Sequence, residues 1–148
     1  MKPIAITKKL AVAPQPKPSD FQEFKRLGFT TVVNNRPDGE DPSQLGSVAE
    51  EEAARAAGLG YVHIPVTSTG MTKDDARLLQ EIIEHAPGPV VAHCRSGARS
   101  FYLWVLSGDL DSHTDAELLA KATELGVDTN AARTWLAAHR NSSEGDKK

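Results

Sequence analysis

The chain has 148 residues, 39% of them hydrophobic and 25% charged, with a formal net charge of -3. That length suits one domain with its own core, and the charge balance leaves no basic footprint for nucleic acid. No run of about 18 apolar residues offers a membrane span, and the N-terminal MKPIAITKKLAVAPQPKP lacks the apolar core and cleavage site of a secretory signal.

Taken in chain order, LAVAPQPKPSDF reads as a short strand entering a proline-rich turn. Ser19 followed by Gln22 has the form of a capping box. Phe21, Phe24 and Leu27 recur at helical spacing until Gly28. FTTVVNN is rich in β-branched residues and predicts a strand. RPDGEDPSQLG, with its prolines and glycines, predicts a loop. Ser47 and Glu50 repeat the capping-box pattern and open the helix SVAEEEAARAAG, closed by Gly58. YVHIPV is a strand and TSTGM a loop. Thr72 with Asp75 opens the helix KDDARLLQEIIEHA, which PGP breaks. PVVAH is short and almost wholly apolar, as suits a strand covered on both faces. RSFYLWVLSGDL is apolar nearly all round and predicts a buried helix. TDAELLAKATELG and TNAARTWLAAHR predict two more, and Trp104 and Trp135 are assigned to the core. The alternation of strands and helices predicts an α/β fold: three layers, with a mainly parallel central sheet flanked by helices. Residues 1–142 form the single expected catalytic domain and 143–148 a flexible polar tail.

In such sheets ligands bind at the carboxyl ends of strands, and Cys94 stands at that end of the most apolar strand. It is the sole cysteine, so it cannot close an internal disulfide, and a reducing cytoplasm is the expected setting. A strand, a short turn and a helix gather the backbone N–H groups of Arg95, Ser96, Gly97, Ala98 and Arg99 into an anion nest. Gly97 allows a backbone angle that other residues resist. Ser96 and Ala98 are small enough for close approach, and Arg99 offers an oxyanion a planar, two-pronged grip. Ser100, next along the chain, is counted among the anion contacts. The positive field of the nest favours the Cys94 thiolate, and a thiolate beside a bound oxyanion is the arrangement of covalent catalysis. His93 is assigned to loop support through a backbone bond. Arg36 is a candidate for a second oxyanion or a substrate carboxylate, with a salt bridge to Asp38 or Glu40 as the alternative. The five histidines show no metal-ligand spacing and no dinucleotide fingerprint is present, so no metal and no cofactor are expected.

The Cys94 loop resembles two families. Cysteine-dependent phosphatases carry His, Cys, five residues and Arg; rhodanese-type sulfurtransferases carry Cys, four residues and Arg. Four residues separate Cys94 from Arg99, and Ser100 stands where the phosphatase arginine would. His93 is the phosphatase-like detail. The general acid of such phosphatases follows a strand like YVHIPV, but Thr67, Ser68 and Thr69 cannot donate a proton at neutral pH. Asp38, Glu40 or Asp41 could substitute from another strand end, and Asp38 is the chosen candidate.

Taken together, NNRPDGE, GLGYVHIPV and PVVAHCRSGARSFYLW resemble the beta-lactamase-hydrolase-like family, phosphatase-like domain, over about residues 8–110. The resemblance implies a dual-specificity-phosphatase-like fold carrying a rhodanese-length loop. It implies Cys94 as nucleophile and Arg99 as oxyanion binder, with Asn35, Arg36 and Asp38 beside the pocket. Family members also occur fused to persulfide dioxygenases and sulfide-oxidising flavoproteins, which implies a small oxyanion or persulfide substrate and a persulfide dioxygenase or thiol acceptor as partner. The expected activity is therefore sulfur transfer, from thiosulfate or a persulfide, through a Cys94 persulfide. The alternative is a cysteine-dependent phosphatase of the tyrosine or dual-specificity type, acting through a phosphocysteine. A non-catalytic anion-sensing module is a third reading.

Overall fold

LAVA and VVAH become neighbouring strands within one sheet. A computed structural model describes residues 1–108 and 113–146. Its strands are β1 (Ile4–Ala5), β2 (Leu10–Ala13), β3 (Thr31–Asn34), β4 (Gly60–His63) and β5 (Val90–His93). They lie in the order β1-β2-β5-β3-β4. β1 runs antiparallel to β2, and every other pairing is parallel. The mainly parallel sheet agrees with the sequence. β1 is an addition, since two residues carry too little pattern to predict.

Six helices complete the described fold: α1 (Pro18–Arg26), α2 (Ser47–Ala56), α3 (Lys73–His85), α4 (Ala98–Gly108), α5 (Asp115–Glu124) and α6 (Thr129–Asp146). Side chains alternate across a strand, and that alternation splits the core in two. Ala13, Val32, Val91 and Tyr61 pack with Phe21 and Phe24 of α1 and Ala54 of α2. Leu10, Val33, Val90 and Ala92 pack with Ala76 and Leu79 of α3 and Leu103 of α4. α1 has nine residues, too few to persist alone. Burying Phe21 and Phe24, each worth roughly 1.5–3 kcal/mol of transfer free energy, is what holds it. On the outer side of α4, Phe101, Tyr102 and Val105 meet Leu118, Ala122, Trp135 and Leu136 from α5 and α6. Trp135 stacks between Tyr102 and His139.

The helix starts refine the expected caps. Thr72 and Asp75 form their reciprocal box, at 3.1 and 3.2 Å. α1 instead begins at Pro18, with Asp20 accepting the Lys17 N–H at 2.7 Å, so Ser19 lies inside the helix. α2 has Gly46 at its N-cap; Ser47 is already helical and Glu50 turns inward, away from any capping role. α6 runs on to Asp146, into the stretch expected to be a tail, of which residues 147–148 lie outside the described residues. Residues 109–110, the end of the predicted helix RSFYLWVLSGDL, also lie outside them. No helix among the described residues is long and apolar enough to cross a membrane.

Candidate active site

β5 is flanked on both sides by parallel strands, so its end points into the crevice between neighbouring loops. α1 and α2 cover one face and α3 and α4 the other, which makes this the point where the connections change sides. Cys94 leaves β5 there, fully buried at 0% exposure. The chain turns through Arg95, Ser96 and Gly97 and enters α4 at Ala98. Gly97 has φ +100°, a conformation that costs L-residues with a Cβ. It aims its N–H at Cys94 Sγ, 3.1 Å away. A Cβ at Gly97 would also sit 3.3 Å from Val12 Cγ1 of the adjacent strand. Ser96 Oγ accepts the Ala98 N–H at 3.4 Å, which tightens the same turn.

Arg99 stands in the first turn of α4. Its two terminal nitrogens donate to the two carboxylate oxygens of Glu40, at 2.7 and 2.9 Å. One of them also donates to the Val66 carbonyl at 3.1 Å. The bond to Glu40 raises the Arg99 pKa against the effect of burial, and the Cys94 sulfur contributes in the same direction. Glu40 in turn accepts from Arg36 Nε at 3.1 Å. The bond from Arg99, aided by Arg36, draws the Glu40 carboxyl down to about 2 against the opposing effect of burial. Arg36, 4% exposed, also donates to Gln15 Oε1 at 3.0 Å. Of the two options the sequence left for Arg36, the structure displays the salt bridge, and to Glu40.

Asp38, the expected acid, is placed differently. Its two oxygens accept from the N–H and hydroxyl of Ser47, at 2.8 and 2.6 Å, at the start of α2. The bond from the Ser47 hydroxyl lowers its pKa. A carboxylate held ionised on a helix start is a poor proton donor. Asn35 and Ser100, expected among the anion contacts, are both buried and bond each other, Ser100 Oγ donating to Asn35 Oδ1 at 2.8 Å. The Asn35 amide donates to the Ile64 carbonyl at 3.0 Å, and its backbone N–H donates to the His93 carbonyl at 2.7 Å. The pair thus latches α4 to the exits of three strands. Arg95 is exposed, with its carbonyl accepting the Gln15 N–H at 3.1 Å.

Beneath the loop lies a buried polar network that sequence reasoning missed. The Glu50 carboxylate, 2% exposed, accepts from Tyr61 Oη at 2.6 Å and Gln15 Nε2 at 2.7 Å. It lies 3.2 Å from His93 Nε2, while His93 Nδ1 faces the Cys94 carbonyl at 3.3 Å. Burial pushes the Glu50 pKa up, but the bonds from His93, Tyr61 and Gln15 outweigh it and the net shift is downward. The available signal was phase: Glu50 is four residues before Ala54, on the inward side of α2.

The comparisons match this geometry to known proteins. A family model described as beta-lactamase hydrolase-like protein, phosphatase-like domain, matches residues 4–111. The chain is 41% identical over 139 residues to a beta-lactamase hydrolase-like protein of Agrobacterium fabrum, and 40% over 137 residues to one of Xylella fastidiosa. Each alignment covers 92% of this chain but 32% of the relative, so the chain spans about a third of the length of these proteins. The crystal structure of a candidate phosphatase from Neisseria meningitidis matches with a TM-score of 0.81 at 30% identity, covering 89% of this chain and 94% of that one.

These findings overturn the expectation of a sulfurtransferase. They align the chain with phosphatase-like proteins and not with rhodanese-type enzymes, and they lend no support to a persulfide dioxygenase partner. A short loop and a missing carboxylate pointed to sulfur transfer, yet Arg99 presents its full fork and a carboxylate, Glu40, stands on it. The chain belongs to the beta-lactamase-hydrolase-like family, phosphatase-like domain.

Proposed function

We propose that the chain is a cysteine-dependent phosphatase domain of the tyrosine or dual-specificity type. Cys94 Sγ attacks the phosphorus of a phosphate monoester, and Arg99 with the loop amides holds the phosphoryl oxygens as charge builds on them. The resulting phosphocysteine is hydrolysed by water. The observation that carries this reading is the Arg99 fork closing on two carboxylate oxygens beside the Cys94 sulfur. A carboxylate presents two coplanar oxygens much as a phosphoryl group does, and Arg pairs with both in the same bidentate way. The phosphatase description of the Neisseria meningitidis structure supports it. A lone cysteine nucleophile is kept active by a reducing compartment, so we place the domain in the cytoplasm.

The test is aryl phosphate hydrolysis by the full chain, with Cys94→Ser as the blank. Wild type is expected to release phosphate and, on rapid acid quench, to carry a phosphoryl adduct on Cys94 by mass spectrometry. Phosphate release that survives Cys94→Ser, or a wild type that releases none, defeats the proposal.

A further inference from the structure

Three carboxylates follow β3, and their surroundings differ. Asp38 is committed to Ser47 at the start of α2. Asp41 accepts from the N–H and hydroxyl of Ser43, both at 2.8 Å, within its own turn. Glu40 reaches into the site and bonds both terminal nitrogens of Arg99. Its backbone is held for this, with the Glu40 N–H on Gln44 Oε1 at 3.1 Å and the Gln44 amide on the Pro37 carbonyl at 2.8 Å. The loop after β4 brings the Val66 carbonyl to Arg99 and holds no carboxylate over residues 64–72.

We infer that Glu40 is the general acid and base of the reaction, parked on Arg99 in the resting enzyme and freed when a phosphoryl group takes its place. The inference rests on the phosphatase reading above. Its driving force is competition: the two Arg99 nitrogens that grip Glu40 are those a phosphoryl group needs. An arriving phosphate displaces the carboxylate from Arg99, and the bond from Arg36 Nε keeps it beside the site.

The groups facing Glu40 set its proton affinity in each state. In the resting enzyme these are Arg99 from α4 and Arg36 from its own loop, with Asp41 beside it and Arg95 facing Asp41. Both arginines favour the carboxylate, which suits a resting plug. Phosphate binding neutralises Arg99 and brings negative charge alongside, and both changes favour protonation. The proton arrives with the monoanionic form of the substrate, since a phosphate monoester has its second pKa at about 6.

The steps balance. Cys94 Sγ forms the S–P bond as the P–O ester bond breaks, and the departing oxygen takes the bond's electron pair and the Glu40 proton. Glu40, now a carboxylate, accepts a proton from water as the water oxygen attacks phosphorus. The S–P bond breaks, its electron pair returns to the Cys94 thiolate, and phosphate leaves as its monoanion with the Glu40 proton, which restores the resting carboxylate.

The experiment compares phenyl phosphate, a poor leaving group, with dinitrophenyl phosphate, a good one, for wild type and Glu40→Gln. The readout is the ratio of the two kcat/KM values, which reports steps through phosphocysteine formation and cancels any common change in binding. Glu40→Gln is expected to depress phenyl relative to dinitrophenyl turnover by about 10²-fold or more, since general acid catalysis contributes about 10²–10⁴-fold. Glu40→Asp, a carboxylate one methylene shorter, is expected to restore part of the ratio, and thermal melts verify that both variants fold. An unchanged ratio overturns the inference: with both rates raised Glu40 is only a plug, and with both lowered it only positions Arg99. A wild type inert toward both esters overturns the phosphatase reading itself.

Discussion

Glu50→Ala tests whether the polar network under Cys94 holds the fold together. The substitution removes an acceptor that is 2% exposed and serves Tyr61 Oη at 2.6 Å and Gln15 Nε2 at 2.7 Å, with His93 Nε2 at 3.2 Å. Gln15 Nε2 keeps the Pro16 carbonyl at 3.1 Å, but Tyr61 and His93 have no ready replacement. Asn34 Nδ2 already donates to Tyr61 Oη at 2.8 Å, and as a donor it cannot receive the Tyr61 proton. His93 is fully buried, so water does not reach its ring. Each buried donor left without its acceptor costs about 1–3 kcal/mol, so the Tyr61 hydroxyl and the His93 ring together should cost about 3–5 kcal/mol. At about 2–4 °C per kcal/mol for a chain of this size, the thermal midpoint should fall by about 6–20 °C. Glu50→Gln keeps one carbonyl oxygen for Tyr61 and should cost less, about 1–3 kcal/mol. The control is Glu51→Ala, one residue on, whose carboxylate is 43% exposed and pairs with Arg55 on the surface. Such pairs contribute about 0–1 kcal/mol. Urea unfolding of the three variants supplies the free energies. A Glu50→Ala cost no larger than that of Glu51→Ala would refute the reasoning, since the network would then hold nothing.

Two further outcomes follow from the same geometry. Gly97→Ala puts a Cβ 3.3 Å from Val12 Cγ1 at φ +100°, which should destabilise by roughly 1–2 kcal/mol and swing the Gly97 N–H off Cys94 Sγ. Aryl phosphate turnover should therefore fall far more than the unfolding midpoint, and equal turnover in the two proteins would remove that N–H from the site. The acid limb of stability follows from Glu40 and Glu50, whose folded pKa values both lie below the ordinary 4.5, that of Glu40 at about 2. A depressed carboxylate contributes stability that is complete above 4.5 and is lost as the pH falls through the folded value. Wild type should lose unfolding free energy between pH 4.5 and about 2, and Glu40→Gln should flatten part of that slope. Parallel slopes would mean that Glu40 has the same proton affinity folded and unfolded.

The fold was legible where local pattern and burial agree. Val90–His93 had to be covered on both faces because it carries no polar side to show to solvent, and it sits between two parallel strands. Phe21 and Phe24, three apart, marked the inner face of α1. Of the site, Cys94, Gly97 and Arg99 were legible because one continuous loop carries them. Glu50, Tyr61 and Gln15 were not, because their meeting joins α2, β4 and the turn after β2, and nothing local requires it. The Ser47–Glu50 spacing suits a capping box, but Asp38 supplies the bonds at that helix start and leaves Glu50 free to turn inward.

Loop length misled for a similar reason. The count from Cys94 to Arg99 measures contour along the backbone, whereas the chemistry depends on where the guanidinium ends. One residue more or less at the start of a helix rotates the next side chain by about 100°, a change that the long stem of an arginine can absorb. The destination of Arg99 is fixed from outside its own loop, by the Val66 carbonyl after β4 and the Glu40 carboxylate after β3. Both come from strand ends on the β3–β4 side of β5. A short loop on this sheet is therefore compatible with a phosphoryl-binding fork.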